Sequence, residues 1–143
     1  MRSLHKLIER WKIQAVVQAP PAAAAEVHRV FSDLGSRATP DVVALYEAIG
    51  GMDMMDNEYW RLWPLAEVRA ENKDQSGFGL LFSDYLIASW CYRLKPDGEE
   101  HSAVYADHFD GRNPVLVAKS LEEFFDAYLV DAHRLFGGPT ANR

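Results

Sequence analysis

The apolar residues of this chain change their spacing twice, from helical to alternating and back to helical. Within residues 4–11 they recur three and four positions apart, which places them on one face of an amphipathic helix. Between residues 58 and 118, short aromatic and β-branched runs are separated by turn signals such as that at residues 95–98. Helical spacing returns at residues 121–135. Because helices and strands occupy separate parts of the chain and do not alternate, the sequence predicts an α+β fold rather than α/β.

Three helices are predicted before the first strand. The second repeats the apolar spacing over residues 27–34, and we expect Pro20-Pro21 in its first turn, where a missing N–H costs nothing. The third begins with Thr39 as its N-cap and ends at Gly50-Gly51, where the backbone needs conformations that only glycine adopts cheaply.

The rest of the domain is predicted as a meander of strands closed by one helix. A Ser-x-x-Glu capping box at Ser120 and Glu123 marks the start of that helix. The expected sheet is antiparallel, with a mixed sheet as the alternative, and the closing helix packs on it within a single domain. The predicted strands cover residues 58–63, 79–82, 86–94, 101–109 and 115–118.

Size and charge exclude several classes of protein. A chain of 143 residues forms one ordinary domain. The net charge of −6 argues against a nucleic-acid partner, since phosphate binding relies on clustered Lys and Arg. The N-terminus lacks the apolar run of a secretory signal, and residues 13–25 are too short to span a bilayer. We therefore expect a cytoplasmic protein that binds no membrane.

The motifs of metal and cofactor sites are missing. Counted from Asp53 as a calcium loop, Glu58 stands where glycine is required and Pro64 where a bidentate glutamate is required. His101 and His108 are seven residues apart on one predicted strand, so alternation sends them to opposite faces. The sequence therefore predicts no metal ion and no cofactor.

Catalytic residues are also not predicted. Cys91 is the one cysteine, and its apolar setting at residues 88–92 is typical of an inert packing thiol. The pair Asp107 and Asp110 could do acid–base work only inside a cleft, and we expect none. An enzyme that uses Cys91 or such a carboxylate pair is kept as a minor hypothesis.

Two acidic segments are the candidate partner-binding residues. The first, after Gly51, combines flexible methionines that mould to irregular surfaces with acids that steer a basic partner. The second follows residue 96, and no Lys or Arg occurs from there to Gly111. The alternatives are a surface loop with its methionines folded back on the core, and a solvated hairpin rim. The predicted residues are Asp53, Met54, Met55, Asp56, Glu58, Glu99, Glu100, Asp107 and Asp110.

Four segments together resemble the SUKH (Smi/Knr-like) superfamily. Residues 39–51 are similar to its helix that starts with proline and ends with Gly-Gly. Residues 60–68 resemble its strand followed by Leu-x-Pro-Leu-x-Glu-Val, residues 81–85 its central strand, and residues 117–124 the start of its closing helix. The acidic, methionine-rich insert after Gly51 departs from the pattern, and the N-terminal helices show no motif of the family.

The resemblance implies a binding domain without catalytic residues. It divides the chain into an N-terminal helical extension at residues 1–38 that packs on the body, a SUKH domain at 39–136 and a frayed tail at 137–143. Many bacterial members are similar to immunity proteins that block polymorphic toxins by docking. We therefore expect a protein that neutralises a basic toxin, such as a nuclease, as a monomer or weak dimer. The alternative is a regulatory or scaffold module that binds an endogenous protein.

Overall fold

The computed structural model describes residues 1–74 and 76–136 and confirms the α+β prediction. The predicted tail at 137–143 lies outside the described residues. The elements are α1 (Arg2–Ile13), α2 (Ala24–Asp33), α3 (Pro40–Ala48), β1 (Trp60–Leu62), α4 (Leu65–Glu71), β2 (Leu80–Tyr85), β3 (Trp90–Asp97), β4 (His101–Asp107), β5 (Val115–Ala118), α5 (Leu121–Asp131) and α6 (His133–Phe136).

The five strands form one sheet in the order β1-β2-β3-β4-β5, and every neighbouring pair is antiparallel. The predicted meander is therefore confirmed, and the sheet is antiparallel rather than mixed. Short turns connect β2 to β3 and β3 to β4, whereas the connection from β1 to β2 contains α4.

One face of the sheet carries the aromatic core. Trp60 of β1 is fully buried, and its ring lies 5.8 Å from that of Trp11 in α1 and 5.8 Å from that of Phe124 in α5. Tyr128 of α5 approaches the same indole edge-on at 5.5 Å. Such offset and edge-to-face pairs add to the stabilisation from burial. Helices α1 and α5 thus cover this face together.

Helix α2 begins at Ala24, so the prediction that Pro20-Pro21 lie in its first turn is wrong. The segment before it is extended and runs beside the end of α3. The Ala19 amide donates to the Gly51 carbonyl at 2.8 Å, and the Gly50 amide donates to the Ala19 carbonyl at 3.2 Å. These backbone bonds favour the extended form, and prolines adopt it readily because they need no amide partner.

The glycine pair lets three segments approach closely. A Cβ on Gly50 would lie 1.8 Å from the Pro20 carbonyl oxygen, and one on Gly51 would lie 2.7 Å from the Pro64 backbone. Gly51 also has φ +139°, as the predicted conformational role requires. Contact, rather than conformation, is the reason for glycine at position 50.

The third strand starts later than predicted. Residues 86–89 form a turn, and β3 begins at Trp90. Leu86, Ile87 and Ala88 all have positive φ, between 53° and 59°. The apolar residues of this turn have the composition of a strand, which explains why the predicted start of β3 is wrong.

The closing helix starts at its predicted capping box. The Glu123 amide donates to Ser120 Oγ at 3.1 Å, while Glu123 Oε2 accepts from the amide of Lys119 at 3.3 Å rather than from Ser120. Instead of one helix to residue 135, a break at Ala132 separates α5 from α6. No helix within the described residues is long and apolar enough to cross a bilayer.

Candidate functional site

A cleft with a volume of about 1050 Å³ opens on the face of the sheet opposite to α1 and α5. Residues 53–57 and Tyr59 form part of its wall, α4 contributes Glu67 and Glu71, and Ile87 and Ala88 of the β2–β3 turn add a further part. Arg61, Asp84 and Cys91 project from the strands into its lining, since they alternate with the side chains of the aromatic core. The sequence did not predict this cleft.

A polar row crosses the sheet beneath the cleft. In the strand register, Arg61 pairs with Asp84, Asp84 with Cys91, and Cys91 with Asp107. Directly opposed residues on antiparallel strands project from the same face. The row therefore brings a guanidinium, two carboxylates and a thiol to one side of the sheet.

Arg61 is held by two carboxylates. Its Nη1 donates to Glu67 Oε1 at 2.9 Å, its Nη2 donates to Glu67 Oε2, and Nη2 also lies 3.3 Å from Asp84 Oδ2. The hydrogen bonds that Arg61 donates to Glu67 raise the pKa of Arg61, against an opposing effect of burial. This bidentate pair ties α4 to β1 and fixes one wall of the cleft.

Asp84 has one occupied oxygen and one free oxygen. Its side chain is only 7% exposed, and Oδ2 accepts from Trp63 Nε1 at 2.6 Å as well as from Arg61. Among the residues that the structure describes, none donates a hydrogen bond to Asp84 Oδ1. A carboxylate oxygen that lines a cleft with no protein donor is a ready acceptor for a ligand.

The rim of the cleft is apolar and exposed. Ile87 is 80% exposed, and Met54, Tyr59 and Phe109 are 50–55% exposed. Large apolar side chains grouped on a surface mark interaction sites more often than single ones do. The cleft thus combines a charged lining with exposed apolar side chains that a partner could bury.

The backbone of this rim is strained. Tyr59, Ile87, Ala88 and Phe109 all have φ between 53° and 68°, the left-handed region that side chains other than glycine rarely adopt. Hydrogen bonds hold these conformations: the Leu86 amide donates to the Tyr59 carbonyl at 2.8 Å, and the Phe109 amide donates to Asp107 Oδ1 at 3.0 Å. Strain of about 1–3 kcal/mol per residue clusters at functional sites.

Most of the first acidic segment lies at the cleft. Asp53, Met54 and Met55 line it, and Asp53 and Met54 are exposed, while Met55 is half-buried. Glu58 is exposed on the same loop but outside the lining. The alternative in which the methionines of this loop fold back on the core applies to Met52, which is fully buried, and not to Met54, which is 55% exposed.

The sequence predicts that Asp56 contacts a partner, but the structure buries its carboxylate. Oδ2 accepts from Trp11 Nε1 at 2.7 Å and from the hydroxyl of Tyr128, while Oδ1 accepts from the amides of Glu58 and Trp60 at 2.9 and 3.1 Å. Its position among α1, α5 and the loop makes it a framework residue. Burial and the charge of Asp56 both raise the pKa of Tyr128, so this phenol stays protonated and donates.

The second acidic segment does not form one surface. Glu99 and Glu100 lie at the turn before β4, whereas Asp107 and Asp110 lie at or beyond its other end. The length of β4, whose seven residues end at Asp107, separates the two groups by about 20 Å. Only the second group is near the cleft, which Phe109 lines.

Both members of that group have partners within the chain. Asp107 is 9% exposed and accepts from Arg93 Nε at 2.9 Å. Asp110 is exposed and bonds the Arg112 side chain, which lowers the pKa of Asp110. Neither is a free acid for catalysis.

Cys91 is a protonated thiol. It is 3% exposed, and burial, together with the charges of Asp84 and Asp107, raises its pKa to about 12. At pH 8 only about one molecule in ten thousand would carry the thiolate, which is the nucleophilic form. Burial and the two neighbouring carboxylates therefore suppress the nucleophilic form of this thiol.

We expect Cys91 to resist labelling by Ellman's reagent in the folded protein. At pH 8 the initial rate should be at least ~1000-fold lower than in guanidinium chloride, because burial suppresses both access and ionisation. The unfolded chain is the control and should release one equivalent of thionitrobenzoate. Rapid labelling of the folded protein would revive the hypothesis of a cysteine enzyme.

Sequence reasoning missed several residues of the site, namely Glu67, Glu71, Asp84, Ile87 and Phe109. A partial signal was present, since Arg61 and Asp84 each interrupt an apolar strand with a charge on the face opposite to the core. Within the described residues, no three His, Cys, Asp or Glu side chains are placed to hold a metal ion.

No protein-family model matches this chain, and no curated protein matches it either.

Proposed function

We propose that this chain is a non-catalytic protein-binding domain and that the cleft with its rim is the docking surface. The observation that carries this proposal is the exposed, strained apolar rim around a lining of carboxylates. Apolar anchors on such a surface would supply affinity, while the charges would select and steer the partner.

The charge of the cleft favours a basic partner. Five carboxylates and one guanidinium line it, and that guanidinium, Arg61, is already paired with Glu67 and Asp84. Asp56 is committed to internal hydrogen bonds, so Asp53, Glu67, Glu71 and Asp84 set the local potential. A basic surface would approach this side of the molecule faster than a neutral one.

The finer proposal is an immunity protein of a bacterial polymorphic-toxin system. The resemblance of residues 39–135 to SUKH domains supports it, and the basic toxin, such as a nuclease, would be blocked by steric and electrostatic occlusion. A monomer or weak dimer in the cytoplasm would meet such a toxin. The second candidate, a regulatory or scaffold module, would use the same cleft on an endogenous protein. The thiol state of Cys91 disfavours the enzyme hypothesis.

The test is co-expression with the product of the adjacent reading frame. We expect this chain to restore growth that the neighbouring product inhibits and to co-purify with that product. The Ile87→Ser variant should weaken the complex by at least ~10-fold, because it removes an exposed apolar anchor from the rim without changing the charge of the cleft.

Val130→Ser is the matched control. Val130 is 82% exposed, close to the 80% of Ile87, but lies on α5 away from the cleft. It should leave binding unchanged. Equal losses in both variants, or no loss in Ile87→Ser, would show that the cleft is not the docking surface. A neighbouring product that neither binds nor inhibits growth would leave the regulatory module as the better proposal.

A further inference from the structure

We propose that the cleft receives an arginine side chain of the partner protein, with its guanidinium on Asp84 Oδ1 and Glu71. The inference rests on the proposed docking function and names the group that the partner must insert. A partner that merely covers the rim would leave these two carboxylates unused.

The free oxygen of Asp84 is the first argument. Asp84 is 5% exposed, lines the cleft and has its other oxygen fully engaged by Trp63 and Arg61. Among the described residues, Oδ1 is not one of the fully buried side-chain atoms that lack a hydrogen-bond partner, so solvent reaches it from the cleft, and an N–H donor of a ligand can replace that solvent. The site is therefore preformed for an N–H donor that enters through the cleft.

The charge balance of the lining is the second argument. Glu71 lies at the end of α4, is exposed, and forms no hydrogen bond or ion pair through its side chain with the described residues. It is close enough to Cys91 for its charge to raise the pKa of that thiol. Asp84 pairs with Cys91 across β2 and β3. Glu71 and Asp84 both line the cleft, and Arg61 is the one cation in that lining.

The shape and polarity of the lining favour arginine over lysine. Tyr59, Trp63 and Phe109 line the cleft, and Trp63 is 4% exposed. A guanidinium stacks on aromatic faces, loses its hydration more readily than an ammonium and offers five donors in a fixed fork. Met54 and Ile87 at the rim would pack against the aliphatic stem and the neighbouring side chains of the partner.

The indole N–H groups of the four tryptophans provide the test. Trp63 Nε1 donates to Asp84 and reports on the cleft. The other three donate elsewhere and serve as internal controls: Trp11 to Asp56, Trp60 to Ser83 and Trp90 to Tyr92. In a ¹H–¹⁵N spectrum, the peptide acetyl-Leu-Arg-Leu-amide should move the Trp63 signal in a saturable way and leave the other three in place.

Citrulline gives the matched peptide control, because it keeps the shape of arginine without the charge. Acetyl-Leu-citrulline-Leu-amide should bind at least ~10-fold more weakly. Glu71→Gln should weaken the arginine peptide ~3–10-fold while the melting temperature stays the same, since Glu71 is exposed and supports no internal contact. Equal binding of both peptides, or an unmoved Trp63 signal at saturating partner protein, would overturn the inference.

Further outcomes separate this inference from the proposed function. If Ile87→Ser weakens partner binding but arginine peptides do not shift Trp63, docking stands and the arginine site is wrong. If agmatine alone binds as tightly as the peptide, the cleft is a site for small cations, and the arginine of a docked protein is not its ligand.

Discussion

A chain that lacks residues 1–14 is expected to lose its cooperative fold. The deletion removes four α1 side chains that are 0–7% exposed, and the ring of Trp11 that stacks on Trp60 goes with them. At about 1.5–3 kcal/mol for each buried side chain, the loss is ~6–12 kcal/mol. That is comparable to the entire stability of an ordinary domain, which is about 5–15 kcal/mol. The N-terminal helix is therefore part of the domain and not a dispensable extension.

The measurement is thermal unfolding followed by far-UV and near-UV circular dichroism. The shortened chain should show no sigmoidal transition and weak near-UV signals from its remaining tryptophans. Addition of a synthetic peptide of residues 1–14 should restore the transition in proportion to its concentration. Ile13→Ser is the control, because Ile13 is 86% exposed on the same helix and its replacement should be neutral. A shortened chain that unfolds cooperatively near the temperature of the full chain would refute this expectation.

Asp56→Ala is expected to lower the free energy of unfolding by about 3–5 kcal/mol. The change leaves two buried side-chain donors, Trp11 Nε1 and the Tyr128 hydroxyl, and two loop amides without their acceptor. For a domain of this size, such a loss corresponds to a melting temperature lower by roughly 10 °C or more. Because the same carboxylate shapes the loop at the cleft, partner binding should weaken as well.

Urea denaturation measures the loss, and Asp53→Ala is its control. Asp53 is an exposed acid three residues earlier, so its removal deletes the same charge without a buried contact and should change stability by less than about 0.5 kcal/mol. Asp56→Asn should fall between the two, because its amide oxygen still accepts while its amide nitrogen faces donors. Similar stabilities for Asp56→Ala and Asp53→Ala would contradict the framework role of Asp56.

The elements that sequence patterns predicted well are those whose signals are local. The stripe of α1, the N1 proline of α3 and the capping box at Ser120 each act within a few residues. The antiparallel meander followed from turn signals for the same reason. Errors arose where distant partners decide the structure. Pro20-Pro21 are extended because Gly50 and Gly51 lie beside them, and nothing within residues 15–25 carries that information.

The site was less predictable than the fold. The methionines and acids after Gly51 are predicted to contact a partner, and the structure places Asp53, Met54 and Met55 in the lining of the cleft. Burial of Asp56 depends on two residues, Trp11 and Tyr128, that lie far away in the chain. The cleft forms because α4 lies beside β1 and because the turn between β2 and β3 has positive φ angles. Spacing along the chain does not encode either relation.

The pairing of the first helix with the last long one imposes a delay during synthesis. Ser3 bonds Asp126 across 123 positions of sequence, so α1 leaves the ribosome well before α5 has been synthesised. At a synthesis rate of about 5–20 residues per second, the apolar face of α1 around Trp11 stays exposed for roughly 6–25 s. A chaperone would need to shield this apolar face of the nascent chain during that interval. Because the strands pair with neighbours in sequence, the β-meander would form before α1 docks.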